Sequence, residues 1–311
     1  MEESSLKGRD LLSMADLTPA QLAAILATAA EIKNEVKQGI FRHPLAGQTL
    51  ALVFEKPSLR TRLSFDVGMF QLGGRAMYLA PAEVGLGKRE TISDVARVIS
   101  SMCNVIVARV FRHSDLEEMA RYSNVPVVNG LSDFEHPCQA LADLLTIQER
   151  FGHLEGLKMT YIGDGNNMAH SLMLGAALSG MRISVVSPEG YEPDEKVLST
   201  ARQIAGKESD IMAVHDLDSG LEDADIIYTD VWASMGQEEE AAARRTIFMP
   251  YQVNAQVVSK AKAGALVLHC LPAHRGDEIT EEVLEGPQSA VFQQAENRLH
   301  AQKGLLVHLL G

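Results

Sequence analysis

QTLALVFEKPSLRTRLSFDVGMFQLGG, residues 48–74, opens on an apolar run from Gln48 to Phe54. A short continuous run of that kind predicts a strand buried on both faces, as in a parallel sheet. EKPSLRTR at 55–62 follows, a helical spacing continues to Gln71, and Gly73-Gly74 stops it. The unit is therefore strand, basic loop, helix. The rhythm continues on either side. Thr18-Pro19 caps a helix over 21–37. Strands are predicted at 76–79, 104–110 and 125–128, with helices at 92–101, 114–122 and 138–150 and a glycine-containing loop at 81–88. A second series places strands at 158–162, 182–187, 211–214, 226–229 and 265–269. Its helices fall at 167–180, 194–205 and 253–261, with a helical turn at 221–224 and a C-terminal helix over 288–310. Strands alternating with helices predict an α/β fold of two doubly wound parallel-sheet domains. The seam lies near 148–157, where Gly152 and Gly156 stand.

Composition agrees. A chain of 311 residues favours two domains at roughly 100–200 residues each. It is 46% hydrophobic and 22% charged, which argues against disorder. The net charge of −13 repels phosphate at long range, so neither nucleic acid nor an anionic membrane is an expected partner. The three cysteines, Cys103, Cys138 and Cys270, show no CxxC or zinc spacing, so no metal and no cofactor is expected. No run of 18 apolar residues and no secretory signal is seen, and a cytoplasmic enzyme is the expectation.

Ligands of open parallel sheets sit beyond the carboxyl ends of the strands. That singles out 55–62, 109–113, 129–139, 163–170, 230–236 and 269–276. Ser58, Arg60 and Thr61 at a helix start suit an anion, or else form a solvated basic loop. Arg109, emerging from a buried strand, needs an anionic partner. His136 reads as a core histidine or a catalytic one, Cys138 as packing, and Gln139 as donor and acceptor. GDGNNMA at 163–169 resembles a dinucleotide turn without a clear ribose acid, or is a tight turn with an Asn cap. Asp230 could accept a substrate ammonium or make an Asx turn. Cys270 lies at a strand end, where a Cys–His nucleophilic pair is a competing reading.

SLRT at 58–61, HPCQ at 136–139, DVWASMG at 230–236 and HCLP at 269–272, in that order, resemble the transcarbamylase family. The likeness runs from FEKPSLRTRLSFDVGMFQLGG at 54–74 to Glu296-Asn-Arg-Leu-His300. It implies a carbamoyl-phosphate-binding domain at 1–148, an amino-acid-binding domain at 149–290, and a C-terminal helix at 291–311 returning to the first. It further implies that Ser58, Leu59, Arg60, Thr61, Arg109, His136, Gln139, Cys270, Leu271 and Arg298 bind carbamoyl phosphate. Asn167, Asp230, Ser234 and Met235 match ornithine-binding positions. Arg60, Arg109, His136, Asp230 and Cys270 are the implied catalytic set. HCLPA at 269–273 and the Ser-Met-Gly loop favour ornithine over aspartate, with putrescine or an N-acylated ornithine as alternatives. The resemblance also implies a homotrimer or a multiple of it. Leu59 stands where the family commonly has threonine, and Gly85 where a glutamine often reaches a neighbouring subunit's carbamoyl phosphate. Two other functions are compatible with parts of the sequence: a non-catalytic phosphometabolite-binding relative, and an NAD-dependent oxidoreductase using 163–169.

Overall fold

The structure, a computed structural model, describes residues 5–207, 210–233 and 240–311. They form two compact units, one running up to residue 145 together with 296–311, the other 146–295.

The first unit holds four parallel strands, β1 (Thr49–Phe54), β2 (Arg75–Leu79), β3 (Val105–Arg109) and β4 (Val127–Leu131), in the order β2-β1-β3-β4. Its helices are α1 (Pro19–Lys37), α2 (Leu59–Gln71), α3 (Pro81–Val84), α4 (Ile92–Ser100), α5 (His113–Tyr122) and α6 (Pro137–Phe151), the last of which runs on into the second unit. Thr18 and Gln21 cap α1 reciprocally. Ile92, Val95, Leu116 and Met119 of α4 and α5 pack on Val53, Ile106 and Val127 of the strands. Burial of that apolar surface is the main favourable contribution to the unit's stability.

The second unit holds β5 (Lys158–Ile162), β6 (Arg182–Val186), β7 (Ile211–Val214), β8 (Ile226–Thr229) and β9 (Leu266–His269), all parallel, in the order β7-β6-β5-β8-β9. Around them lie α7 (Asn167–Ser179), α8 (Glu195–Ala205), α9 (Leu217–Leu221), α10 (Ala241–Phe248), α11 (Ala255–Val258) and α12 (Glu281–Leu284). The last helix, α13 (Val291–Leu310), re-enters the first unit and packs on α1. There Lys33 Nζ donates to Asn297 Oδ1 at 2.6 Å, and Gly304 approaches the Ile25 carbonyl so closely that a Cβ would sit 2.6 Å from it.

Strand order locates the ligand sites. The chain reverses direction across each sheet once, between β1 and β3 in the first and between β5 and β8 in the second. At such a switch point the two connecting loops part and leave a crevice at the carboxyl ends. Ser58 and Arg109 flank the first reversal, Asn167 and Asp230 the second.

Several elements differ from the sequence expectation. β4 begins at Val127 because Pro126 has no N–H to give to a ladder, and it extends to Leu131. The loop at 81–88 contains α3, closed by Gly85 at φ +58°, where a Cβ would meet Arg89 Cβ at 2.8 Å. That crowding and the left-handed backbone account for glycine at this position. The helical turn expected at 221–224 lies instead at 217–221, because Asp216 caps it by accepting from Ser219 N. The helix expected at 253–261 contracts to α11, since Val253 is drawn into a bridge with Ile279. α10 and α12 were not expected.

Candidate active site

At the first switch point Ser58 is the N-cap of α2. Its Oγ accepts from Thr61 N at 3.4 Å and donates to Thr61 Oγ1 at 3.2 Å. The first-turn amides of α2 and its dipole point to the same place, a ready anion site. Leu59 is 77% exposed, so any contact it makes with an anion there comes from its backbone N–H. Arg298 of α13 is buried and bridges two other elements. Its Nη2 donates to Thr61 Oγ1 at 3.0 Å and its Nη1 to Gln139 Oε1 at 2.7 Å. Gln139 Nε2 in turn donates to Asp143 Oδ1 at 2.7 Å. Thr61 Oγ1 accepts from both Ser58 and Arg298, which leaves its own proton to give to a third group.

His136, just before α6, is buried and faces Arg298, Arg109 and Arg60. Burial first, and then those three cations, hold its imidazole well below the ordinary histidine value. It is therefore neutral near pH 7. Three guanidinium groups around one neutral ring make a strongly positive recess in a protein of net charge −13. Such a recess suits a phosphate dianion, and the neutral ring can donate one hydrogen bond without adding charge. Cys138 donates to the Asn129 carbonyl at 3.4 Å, and burial pushes its thiol up to about 12, so it is a packing residue and no nucleophile.

The state of His136 has a consequence for stability. An unfolded chain protonates this histidine below about pH 6.5 whereas the folded one does not, so folding loses stability as pH falls below that value. The slope for one such group reaches about 1.4 kcal/mol per pH unit. Denaturant midpoints at pH 7 and pH 5.5 should differ for the wild type and differ less for His136→Gln. Equal shifts in both would remove His136 as a contributor.

At the second switch point Asp230 follows β8 and is buried. Its Oδ1 accepts from Val231 N at 2.8 Å and from Cys270 Sγ, beyond β9, at 2.9 Å. Asn166 caps α7 through Oδ1 and reaches Asp230 Oδ2 with Nδ2 at 3.4 Å. Asn167 begins α7 and is buried beside it. Asp230 thus makes the local turn and also presents a carboxylate to a neighbouring thiol. Ser234 and Met235 lie outside the described residues.

Leu271 adopts φ +56°, a left-handed conformation that a leucine takes only when its surroundings impose it. A buried relay imposes it: Leu271 N donates to His269 Nδ1 at 2.8 Å, and His269 Nε2 meets Glu278 Oε1 at 3.0 Å. Glu278 also accepts from His274 N. With Nδ1 accepting, Nε2 carries the proton. Both nitrogens of His269 are then engaged, which overturns His269 as the base of a Cys–His nucleophilic pair with Cys270. Asp230, His269 and Cys270 place ligand atoms within 4.8 Å of one another. Holding a metal there would cost His269 one of its two bonds.

The 163–169 stretch is the tight turn with an Asn cap: Asn166 Oδ1 accepts from Met168 N and Ala169 N. A Cβ on Gly165 would fall 2.2 Å from Pro193 N, so the close approach of the 192–193 backbone accounts for glycine there. Asp164 pairs with buried Arg244 at 2.7 Å, and Arg244 also donates to the Trp232 carbonyl at 3.0 Å. Arg244 and Glu278 were missed in the sequence. Neither follows a strand end, and each acts at long range in sequence, where spacing carries no signal.

Two family models cover the chain. The carbamoyl-P binding domain of aspartate/ornithine carbamoyltransferase matches residues 9–149, and the Asp/Orn binding domain matches 155–309. Similar curated proteins include an ornithine carbamoyltransferase of Anoxybacillus flavithermus, 54% identical over 98% of each chain. Another, described as the anabolic ornithine carbamoyltransferase of Pyrococcus furiosus, is 52% identical over 99% of this chain and 98% of the other. The solved ornithine carbamoyltransferase from Pyrococcus furiosus superposes with a TM-score of 0.95 at 52% identity, covering 99% and 98% of the two chains. That from Gloeobacter violaceus gives 0.87 at 47% identity, covering 98% and 99%.

Proposed function

The chain belongs to the aspartate/ornithine carbamoyltransferase family, and on that premise we infer its reaction and the residues that perform it. It is an enzyme that transfers the carbamoyl group of carbamoyl phosphate to the δ-amine of L-ornithine, giving L-citrulline and phosphate. The observation that carries the choice of acceptor is the buried carboxylate of Asp230, 2.9 Å from Cys270 Sγ, at the ends of adjacent strands. An amine finds an anionic partner there, whereas an aspartate substrate would bring a second carboxylate to it.

We assign the roles as follows. Ser58, Thr61 and the backbone of Leu59 take the phosphate, with Arg60 and Arg298 supplying charge. Arg109, His136 and Gln139 address the carbamoyl group, and neutral His136 donates to its oxygen as negative charge develops there. Cys270 and Leu271 take the carbamoyl end. Asn167, Asp230, Ser234 and Met235 hold ornithine, with Asp230 and Cys270 orienting the δ-amine. That amine must be neutral to attack. With a lysine-like pKa near 10.4, deprotonation at pH ~7.5 costs about 4 kcal/mol. The attack passes through a tetrahedral intermediate, and phosphate leaves without a covalent enzyme intermediate.

We place carbamoyl-phosphate binding in 1–148, ornithine binding in 149–290, and the returning helix in 291–311. We also propose a homotrimer acting in the cytoplasm. Leu59, Leu63 and Phe70 expose an apolar strip along α2 that suits a second copy. None of the described helices is long and apolar enough to cross a membrane, and no described cysteine is in a disulfide.

The test is citrulline formation from carbamoyl phosphate with ornithine, beside putrescine, N-acetylornithine and aspartate, and light scattering for a mass near three times 33.8 kDa. Ornithine should be preferred and the rate should climb from pH 6 to 9, because His136 stays neutral while the substrate amine loses its proton. A flat profile would count against amine deprotonation as the limiting step.

A further inference from the structure

Lys303 lies on the wall of a cavity of about 200 Å3 in the first unit, enclosed by α1, residues 40–44, the end of α2 and α13. Ile40, Phe41 and Arg42 at its rim are exposed, whereas Lys303 is completely buried. Its Nζ donates to Gln71 Oε1 at 2.7 Å. A neutral amide does not hold an ammonium charged as a carboxylate would. The carboxylates on this cavity are Glu31 and Glu35 of α1, and both face Arg42, at 3.7 and 2.5 Å. The end of α2 contributes only Gln71 and Leu72, and α13 adds Val307 beside the lysine. Burial accordingly brings the Lys303 amine down to about 8. At pH 7.5 roughly a quarter of it is then neutral, against about 0.1% of an ordinary lysine.

We propose that Lys303 is a carbamoylation site, modified by isocyanic acid, the electrophile that carbamoyl phosphate releases when it decomposes. The Nζ lone pair forms a bond to the carbonyl carbon. One N–H proton passes to the isocyanate nitrogen. The product is a neutral urea, and no oxidant or further reactant is needed. The urea adds three heavy atoms, and the cavity exceeds several times the roughly 30 Å3 share of a water molecule. The modification removes a buried cation where α13 meets the end of α2, the two helices that carry Arg298 and Ser58–Thr61. The origin of the electrophile rests on the carbamoyl-phosphate reading above; the reactivity of the amine does not.

The full protein would be incubated with millimolar potassium cyanate from pH 6.5 to 10, and homocitrulline quantified at each lysine by peptide mass spectrometry. Lys303 should react about tenfold faster at pH 7.5 than exposed Lys7 and Lys37, its larger neutral fraction being partly offset by the weaker nucleophilicity of a weaker base. Its rate should level off above pH 8 while theirs keep rising. Lys303→Arg should abolish the fast-forming product and leave the modification of Lys7 and Lys37 unchanged. A Lys303 rate at or below that of Lys7 and Lys37 overturns the site. A second arm replaces cyanate with carbamoyl phosphate in the absence of ornithine. Modification by cyanate alone would overturn the link to the substrate while the reactive lysine stands.

Discussion

Asp230→Asn lowers kcat/KM for ornithine by about 10²–10⁴-fold, the equivalent of roughly 3–5 kcal/mol lost from the transition state. The substitution keeps the side chain's shape. It retains an oxygen for the Val231 amide, so the turn after β8 survives. It removes the negative charge proposed to meet the δ-ammonium, and leaves Cys270 Sγ a neutral amide oxygen, shared with the Val231 amide, in place of a carboxylate one. Asn166 Nδ2, now 3.4 Å from a carboxylate oxygen, would face an amide. Carbamoyl-phosphate affinity should stay within about threefold, because Ser58, Arg60, Thr61 and Arg298 belong to the other unit. An independent readout comes from Tyr161. Burial and then the Asp230 charge hold its phenol well above the usual value, and neutralising Asp230 should bring it part of the way down. Steady-state kinetics for both substrates and an ultraviolet titration of the tyrosines decide the matter. Unchanged ornithine kinetics with a shifted Tyr161 would show the charge to be present but unused.

Arg298→Met lowers kcat/KM for carbamoyl phosphate by about 10–10²-fold, the equivalent of one charged hydrogen bond to the phosphate at roughly 1.5–3 kcal/mol. Met fills the volume, so the loss is of hydrogen bonds and charge rather than of packing. Thr61 and Gln139 then lose a buried partner, and the protein should also lose about 2–5 kcal/mol of stability. Arg298→Lys restores the charge without the planar fork that spans Thr61 and Gln139, and should recover activity only in part. Removing this cation also relieves one of the groups depressing His136, whose imidazole should titrate higher in Arg298→Met. Fluorescence measurement of carbamoyl-phosphate binding, denaturant melts and an NMR titration of His136 separate the three effects. Full carbamoyl-phosphate affinity in a folded Arg298→Met protein would remove Arg298 from the site.

Both residues illustrate how far residue order alone reaches. Asp230 was visible because it directly follows a short apolar strand, where parallel sheets present their ligand groups. Ser58, Arg109 and Cys270 were visible for the same reason. Arg298 was not visible from pattern. It stands within an apolar-periodic helix near the C-terminus, and only the family resemblance flagged it. Its partners Thr61 and Gln139 are 237 and 159 residues away. The relay from Glu278 through His269 to Leu271 escaped altogether, since a buried carboxylate nine residues after a histidine has no periodicity to betray it. Helices α10 and α12 escaped because their short, charged sequences bury little apolar surface and carry a weak 3.6-residue signal.

Hydrophobic period and length by themselves determined the strands, the longer helices, the parallel character of both sheets and the strand ends where chemistry would gather. Those properties follow from local burial, which each segment encodes within itself. The tertiary structure alone decided strand order, and with it the two reversals that open crevices beside Ser58 and Asp230. It also decided the charge states. His136 is neutral because it is buried and three arginines distant in sequence converge on it, and Lys303 is a weak base because it is buried, with the neutral Gln71 amide accepting from its Nζ. Electrostatic energies depend on distance and on exclusion of water, and neither exists until the chain has folded.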